Sequence, residues 1–269
     1  MESKIIFLGT GGDSIIVGKQ IRASGGIILQ VDDNQFHIDP GPGSLLQAKN
    51  FGVNLRNNTA VFATHNHVNH CNDINAVIDA MTYGGMDRKG VAVCNKIVCN
   101  GNDDYTPTLS KFHRNCVEKT IVLEQGQRLG INDVEIRALS AVHSEPHTIG
   151  LKFFTSKFTL TYTSDTGYDK TLAHEYKDSD IIIFNLQFPG NMGKTHYLCT
   201  EDVIKILKDV KPKLVIIQHF GVKMMNEDPL NEAREIQKAT KIQTIAATDG
   251  MVINPSSYAG MRKKNLKQY

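Results

Sequence analysis

The pattern of hydrophobic and polar positions divides the chain into two parts that differ in predicted secondary structure. In the first part, short apolar runs bounded by turn residues predict β-strands and hairpins, with helices at 45–51, capped by Ser44, and at 72–81. After residue 165, helical spacing alternates with apolar runs. The predicted strands are 4–8, 26–31, 35–38, 60–63, 91–93, 97–99, 120–123, 134–139, 149–154, 158–162, 181–185, 214–218 and 244–247, and the later helices are 170–176, 201–210 and 229–240.

The order of these elements predicts the fold class. No repeat, linker or low-complexity stretch divides the 269 residues, so we expect one domain over 1–269. A β-rich first half followed by β/α alternation predicts an α/β protein in which sheet packs on sheet with helices outside. The turn GTGGD after the first strand has no helix signal behind it and is weak evidence for phosphate binding.

Composition and charge narrow the function classes only slightly. Hydrophobic residues make up 41% and charged residues 22%, which is ordinary for a soluble globular protein. A net charge of +2 does not by itself indicate a nucleic-acid partner, and the basic tail RKKNLK at 262–267 is typical of a solvated terminus. Five cysteines without a CxxC pair predict a reducing cytoplasm, and no apolar run reaches transmembrane length.

The stretch VFATHNHVNHCND at 61–73 carries the most specific chemistry. An apolar strand ends in His65, His67 and His70, spaced as HxHxxH, although the whole chain holds only 10 histidines. Imidazole nitrogens are good ligands for zinc or iron, and alternate residues at a strand end can turn two rings towards one ion. A histidine-rich surface loop is the alternative interpretation of this stretch alone.

Four further predicted strands end in possible ligands, because His143, Asp165, His219 and Asp39 each follow one of them. Metal sites often lie where strands give way to loops. Together with HxHxxH, these side chains are enough for two ions. Asp39, in IDPGPG, is either a turn former or a carboxylate that accepts a hydrogen bond from a ligand histidine.

A series of segments extends over nearly the whole chain: the first strand with its glycine turn, IDPGPG, THNHVNH, AVHS, YTSDTG, THYLCT, KPKLVIIQHFG and AATDGMVI. This ordered series resembles the metallo-β-lactamase superfamily of metal-dependent hydrolases, and within it the ribonuclease Z-like branch. The resemblance implies a four-layer αββα sandwich with the metal site at one edge between the sheets. It also implies two divalent ions, with zinc as the first expectation and manganese or iron as alternatives.

The resemblance also implies a role for each candidate residue. The first ion would be held by His65, His67 and His143, the second by His70 and His219, and Asp165 would bridge them. His147 competes with His143 for its place, but Pro146 disfavours a helix that would align the two, and His143 directly continues its strand. His147 is then a candidate for the substrate pocket.

One position departs from the family motif HxHxDH, because Asn69 stands where the motif has aspartate. An amide is a neutral and weaker ligand than a carboxylate, and it cannot accept a proton usefully. Our hypothesis is therefore that the second ion is weakly held and substoichiometric in purified protein. The alternative is that Asn69 is harmless and that Asp165 and the histidines hold both ions.

His196, in KTHYLCTEDV, precedes a predicted helix with Thr200 as its N-cap. It resembles the histidine that ribonuclease Z-like enzymes place near the scissile phosphate, where it would stabilise charge or protonate the leaving alkoxide. A surface histidine near a helix start is the alternative. The implied catalytic residues are thus His196, Asn69 and Asp165. Ser144 and Asn185 are possible supporting groups, His37 faces either core or solvent, and His113 and His174 are expected at the surface.

The function implied by the resemblance is phosphodiester hydrolysis of RNA 3′ ends or nucleotides through a metal-bound hydroxide. The chain has no recognisable counterpart of the long tRNA-binding arm of ribonuclease Z, so a cyclic nucleotide or another small phosphodiester is a strong competitor. Carboxyl ester, thioester or lactone hydrolysis is another enzymatic alternative, and a non-catalytic metal-binding protein is the third. The resemblance further implies a homodimer, and the lack of an apolar run of transmembrane length predicts no membrane partner.

Overall fold

The computed structural model describes residues 2–259, so the basic tail at 262–267 lies outside the described part. Fourteen strands form two seven-stranded sheets. The strands are β1 Lys4–Phe7, β2 Ile27–Val31, β3 Asn34–Ile38, β4 Ala60–Ala63, β5 Val91–Cys94, β6 Lys119–Val122, β7 Arg128–Ile131, β8 Val134–Leu139, β9 Gly150–Phe154, β10 Thr159–Tyr162, β11 Ile181–Asn185, β12 Leu214–Gln218, β13 Gln243–Ala246 and β14 Val252–Ile253.

The first sheet has the order β14-β1-β2-β3-β4-β5-β6 and the second has the order β13-β12-β11-β10-β9-β8-β7. Strands β3 to β6 are parallel, as are β10 to β13, whereas the remaining neighbours are antiparallel. Parallel strands that are covered on both faces consist of almost continuous apolar residues, as in the sequence IIIFN of β11. This explains why these strands were recognisable without alternation.

The described residues contain ten α-helices. They are α1 Ser14–Gly18, α2 Ser44–Asn50, α3 Val68–Cys71, α4 Ile74–Thr82, α5 Lys96–Asn100, α6 Lys111–Cys116, α7 Leu172–Tyr176, α8 Thr200–Asp209, α9 Val222–Glu227 and α10 Pro229–Thr240, with 3₁₀ segments at Leu55–Asn57 and Pro255–Tyr258. No helix of residues 2–259 is long and apolar enough to cross a membrane.

Three apolar clusters define four layers. The central cluster joins the facing surfaces of the two sheets, where Phe36 and Phe62 of the first sheet contact Phe153 of the second at ring-centroid distances of 5.8 and 5.6 Å. A second cluster lies between the first sheet and α4, and a third lies between the second sheet and helices α8 and α10. The predicted αββα sandwich is therefore confirmed.

Several local predictions were wrong. Residues 97–99 belong to α5 instead of a strand, because the Asn95 side chain accepts the Val98 N–H and caps a helix there. A helix does follow the glycine-rich turn, since Asp13 caps α1 through the N–H groups of Ile15 and Ile16. Such short apolar runs do not distinguish strand from helix by periodicity, and the capping residue decides.

Two predicted caps are displaced by one residue. Helix α2 begins at Ser44, whose hydroxyl donates to the carbonyl of Gly41 at 2.7 Å, and Gly43 occupies the N-cap position with φ of 87°. Helix α8 begins at Thr200, and Cys199 takes the N-cap position. Neither shift alters the packing of the helix.

Candidate metal centre

The first sheet brings three histidines to one edge. Strand β4 ends at Ala63, and the Thr64 N–H and hydroxyl then donate to the Asp39 carboxylate, each at 2.8 Å. His65 follows directly, His67 is the N-cap residue of α3, and His70 lies within that helix. The bond from Thr64 therefore fixes the point at which the chain leaves the sheet and turns its imidazoles inward.

The second sheet brings three more side chains to the same edge. His143 follows β8 in a loop, Asp165 follows β10, and His219 directly follows β12. Ser164 and His219 have positive φ angles of 56° and 67°, which turn the chain sharply at the strand ends. Since β10 and β12 belong to the parallel part of the sheet, their carboxyl ends meet on one side.

Four of these residues form a first cluster. His67 Nδ1 lies 3.1 Å from both His65 Nε2 and His143 Nε2, and Asp165 Oδ2 lies 3.9 Å from the same two Nε2 atoms. All four side chains offer one ligand atom within 4.8 Å of the others. The structure thus brings together the three histidines that were predicted for the first ion.

A second cluster shares Asp165 with the first. His70 Nε2 lies 2.9 Å from His219 Nε2 and 3.5 Å from Asp165 Oδ2, while the other carboxylate oxygen lies 3.4 Å from His219 Nδ1. The ligand atoms again lie within 4.8 Å of one another. The geometry therefore places Asp165 between two groups of imidazoles, as expected for a bridging carboxylate.

The protonation states of the histidines and of Asp165 in the two clusters are compatible with binding of a cation. Burial and the neighbouring imidazoles lower the pKa of His65 far below 6.5 and that of His67 to about 4, so both rings are neutral at pH 7. Burial also lowers the pKa of His219 to about 4. Burial opposes ionisation of Asp165, but His219 and His70 hold the pKa of this carboxyl well below 3.8.

His70 behaves differently, because two carboxylates face it. Burial lowers its pKa, yet Asp165 and Asp39 together raise the value to about 10. Meanwhile His219 Nδ1 is buried without a hydrogen-bond partner among the described residues. Neutral imidazoles in mutual contact, an ionised carboxylate and an unpartnered ring nitrogen together fit a divalent cation that would replace the proton on His70.

The Asp39 carboxylate fixes the orientation of the His70 ring. His70 Nδ1–H donates to Asp39 Oδ2 at 2.9 Å, and the Tyr162 hydroxyl donates to the same oxygen at 2.8 Å. With the two bonds from Thr64, the buried carboxylate accepts four hydrogen bonds. Asp39 also has φ of 53°, so it is both the turn residue and the acceptor for a candidate ligand histidine.

Asn185 supports the shared carboxylate. Its Nδ2 group donates to Asp165 Oδ1 at 2.7 Å, and its own Oδ1 accepts from Gln218 Nε2 at 2.8 Å. All three residues are buried. Of the two possible supporting groups predicted from sequence, Asn185 contacts the cluster, whereas Ser144 is exposed.

Asn69 presents its amide nitrogen to the second cluster. Nδ2 lies 2.9 Å from His219 Nε2 and donates to the main-chain carbonyl of Gly12 at 3.0 Å. Gly12 is held close to the same strand end, because its N–H donates to Phe220 O and a Cβ here would lie 2.1 Å from His219 O. The carbonyl can only accept, so it fixes which end of the amide faces His219.

The other predicted histidines are placed as follows. His143 Nδ1–H donates to the main-chain oxygen of His196 at 3.0 Å, which leaves His143 Nε2 free to face the cluster. The ring centroids of His143 and His196 are 6.2 Å apart, and the two ring planes are nearly perpendicular. His147 belongs to neither cluster, and it lines a small cavity of about 110 Å³ beside Glu145 whose lining also includes His67.

The remaining histidines lie away from the clusters. His37 is fully buried, and its Nε2–H donates to Gly25 O at 2.8 Å. His174 is exposed, as predicted, but His113 is only partly exposed and contacts Ser110. The structure thus selects the core for His37, whereas His113 keeps 19% of its side chain exposed at the surface.

A cleft of about 640 Å³ opens onto the two clusters. Asp165, His67 and Asn69 form its floor, while one wall comes from α1 and another from Gln187 and Tyr197. The Tyr197 ring contacts the His143 ring at 5.2 Å, and burial raises the pKa of Tyr197 to about 12. Sequence reasoning missed Gln187, which no motif marks, and it assigned no role to Tyr197, although this residue lies in the THYLCT segment.

A family comparison agrees with this geometry. Residues 34–220 match the family model described as the beta-lactamase superfamily domain, which covers more than half of the chain. The chain belongs to the metallo-β-lactamase superfamily. This membership makes it a metallo-hydrolase by family and implies divalent-metal binding, in agreement with the histidine and aspartate clusters.

Individual proteins match this chain over almost their full length. The uncharacterized protein MJ1374 of Methanocaldococcus jannaschii is 31% identical over 255 residues, which cover 94% of this chain and 95% of that protein. The structure of the metallo-β-lactamase fold protein YhfI from Bacillus subtilis has a TM-score of 0.77 at 18% identity, covering 94% and 99% of the two chains. Human tRNase Z, short form, has a TM-score of 0.69 at 14% identity, covering 93% and 98%.

Proposed function

We propose that this protein is a metal-dependent phosphodiesterase that acts on nucleotides or RNA 3′ ends. The observation that carries this proposal is the sharing of Asp165 by two ligand clusters at the floor of one open cleft. Paired ions suit phosphodiester cleavage, because attacking and leaving oxygens must both be stabilised. The fold similarity to human tRNase Z supports the same choice.

In this proposal, His65, His67 and His143 hold one ion, His70 and His219 hold the other, and Asp165 contacts both. Two divalent ions bound there, zinc first and manganese or iron otherwise, would activate water and neutralise the phosphoryl charge. Asp39 keeps the Nδ1 proton on His70, so that Nε2 faces the site. Asn185 keeps the carboxylate of Asp165 in place between the clusters.

His196 is the proposed proton donor to the leaving group. Its main-chain oxygen is tied to His143, which holds this residue beside the first cluster. Its Nδ1 atom is buried without a hydrogen-bond partner among residues 2–259. A positioned imidazole of this kind can protonate a departing alkoxide.

The test is hydrolysis of bis(p-nitrophenyl) phosphate by protein of measured metal content. We expect one to two ions per chain, turnover that depends on added zinc or manganese, and loss of turnover with a chelator. The His196→Ala variant should lose about 10²-fold or more in kcat/KM on the diester and less on p-nitrophenyl acetate. His174→Ala, in the exposed part of α7, is the matched control.

Two outcomes would contradict the proposal. Turnover of the acetate ester without turnover of the diester would favour carboxyl ester, thioester or lactone hydrolysis by the same centre. Bound metal without either activity would favour a non-catalytic metal-binding protein. The observation that favours this second candidate is the orientation of the Asn69 amide, whose nitrogen donates to Gly12 O. In that case Asn69→Asp is expected to create activity that the unaltered protein lacks.

A further inference from the structure

Gln187 places a buried amide without a partner beside the proposed active site. It follows β11, is 8% exposed and lines the cleft. Its Oε1 atom makes no hydrogen bond within the described part of the chain. Buried polar atoms are nearly always paired, and an unpaired one in a cleft of substrate size indicates that the ligand supplies the missing donor.

The fold holds Gln187 firmly in this position. The Leu186 N–H donates to Gln218 O at 2.8 Å, and the Gly221 N–H donates to Gln187 O at 3.3 Å. A Cβ on Gly221 would lie 2.9 Å from Gln187 Cγ, so the glycine permits close packing against the stem of the side chain. These contacts hold the Gln187 side chain at the cleft wall, with an Oε1 atom that no group of residues 2–259 satisfies.

The charges of the described residues that line the cleft disfavour a dense polyanion. None of the described residues that line it is lysine or arginine, whereas Asp13 and Asp165 both contribute carboxylates. The Asp13 carboxylate is already engaged by the N–H groups of Ile15, Ile16 and Val222. Proteins that bind nucleic-acid chains place cations along the path of the phosphates.

Apolar groups occupy part of the remaining wall, beside the polar side chains of Ser14 and Gln20. Val17 of α1 and Pro42 line the cleft, and so does Val68, whose side chain is 65% exposed at the mouth. These groups favour contact with a flat or apolar part of a ligand, and they offer nothing to a second phosphate. Together with Gln187, these side chains fit a small ligand that has one polar edge.

Resting on the proposed phosphodiesterase function, we propose that the cleft accepts a compact, singly charged phosphodiester. Its non-reacting part offers a hydroxyl or N–H donor to Gln187 and an apolar face to Val17 and Val68. A nucleoside ester satisfies both conditions, whereas an extended RNA would carry further phosphates across a wall that has no cations. Gln187 is thereby the residue that determines specificity.

The test compares two diesters with the same leaving group. Thymidine 5′-(p-nitrophenyl phosphate) offers hydroxyl and N–H donors, and bis(p-nitrophenyl) phosphate offers neither. We expect kcat/KM to favour the thymidine ester by about tenfold or more, because a site built around a hydrogen bond rejects an analogue that lacks it. A 3′-extended RNA should be cleaved less efficiently than this ester at about 0.15 M salt.

Gln187→Leu should abolish the preference for the thymidine ester and leave the metal content within about twofold. If the leucine variant does not fold, Gln187→Met, which matches the length of glutamine, takes its place. Gln243→Leu, on the exposed part of β13, carries the same change outside the cleft and should keep the preference.

The outcomes separate this inference from the function on which it rests. An unchanged preference in the Gln187 variants, or more efficient cleavage of the RNA than of the thymidine ester, would overturn the inference while the phosphodiesterase stands. If the metal-loaded protein hydrolyses neither p-nitrophenyl diester, the proposed phosphodiesterase function is overturned, and the inference with it.

Discussion

The Asn69 amide nitrogen lies 2.9 Å from His219 Nε2, and the Gly12 carbonyl oxygen, 3.0 Å away, accepts its hydrogen bond. At the scale of single residues, this contact distinguishes the two ligand clusters. The first has three histidines around Asp165, whereas the second has two histidines and a donor where the family motif has a carboxylate. A neutral donor facing a cation contributes repulsion instead of a bond.

We therefore predict that Asn69→Asp strengthens binding of the second ion. The added negative charge should raise its affinity by about tenfold or more, because charged oxygen ligands dominate hard-cation binding. Chelator competition with zinc, followed to two equivalents, measures the change. Asn54→Asp, which keeps an acceptor for the Arg56 N–H in an exposed turn, is the control, and an equal affinity in both variants would contradict the prediction.

Asp39 provides a second prediction at this scale. Asn can adopt the positive φ of 53° found here, so Asp39→Asn removes charge without altering the turn. Because His70 Nδ1–H then loses its carboxylate acceptor, metal affinity should fall by about 10- to 100-fold. The same chelator titration detects this, with the exposed Asp103→Asn as control. An affinity equal to that of the wild type would show that Asp39 serves the turn alone.

At the scale of elements, strand β3 contains a buried histidine that belongs to neither ligand cluster. Burial lowers the pKa of His37 to about 4, although the Gly25 carbonyl and Asp39 act in the opposite direction. The unfolded chain therefore binds a proton between pH 6.5 and pH 4 where the folded chain does not. Stability must decrease as the pH falls through this range, and it is unaffected by this group above pH 6.5.

His37→Gln should reduce the acid sensitivity of the fold. Relative to the wild type, the variant should lose about 2 kcal/mol less of its free energy of unfolding between pH 7 and pH 5, since each pH unit is worth about 1.4 kcal/mol per proton. Urea unfolding of metal-free protein at the two pH values measures this difference. His174→Gln, at an exposed position of α7, should behave like the wild type. An identical pH dependence in all three proteins would refute the assignment.

At the scale of the whole molecule, the ligand clusters join the two sheets. His65, His67 and His70 extend from the end of β4, whereas His143, Asp165 and His219 extend from the second sheet. An ion in either cluster thus links layers that otherwise contact each other through apolar side chains such as Phe62 and Phe153. Metal binding should therefore be visible in global stability.

We predict that metal raises the melting temperature and that a chelator lowers it. At a free ion concentration about 1,000 times the dissociation constant, the stabilisation should be about 4 kcal/mol. Thermal unfolding at increasing zinc concentration measures it. His67→Ala should weaken the dependence, while His174→Ala should retain it, and a melting temperature indifferent to both zinc and chelator would contradict metal binding by the folded state.

Local physics explains what could be predicted from the sequence. Buried parallel strands such as β11 and β12 show as apolar runs, and the ligand residues follow strand ends because sheets fix positions while loops leave room for approach. Short elements were less predictable. Residues 97–99 and 14–18 each contain only one helical turn, so their caps, Asn95 and Asp13, carry more information than their periodicity.

By itself, the sequence determined the layered α/β class, the strand ends and the residue types available for a metal centre. The family resemblance added an expected assignment of each histidine to an ion, but only the tertiary structure decided that Asn69 presents its nitrogen and that Gln187 and Tyr197 form the cleft wall. The physical reason is that these contacts join positions far apart in the chain. Hydrogen bonds such as Asn69 to Gly12 and Asn185 to Asp165 exist only after the two sheets have packed.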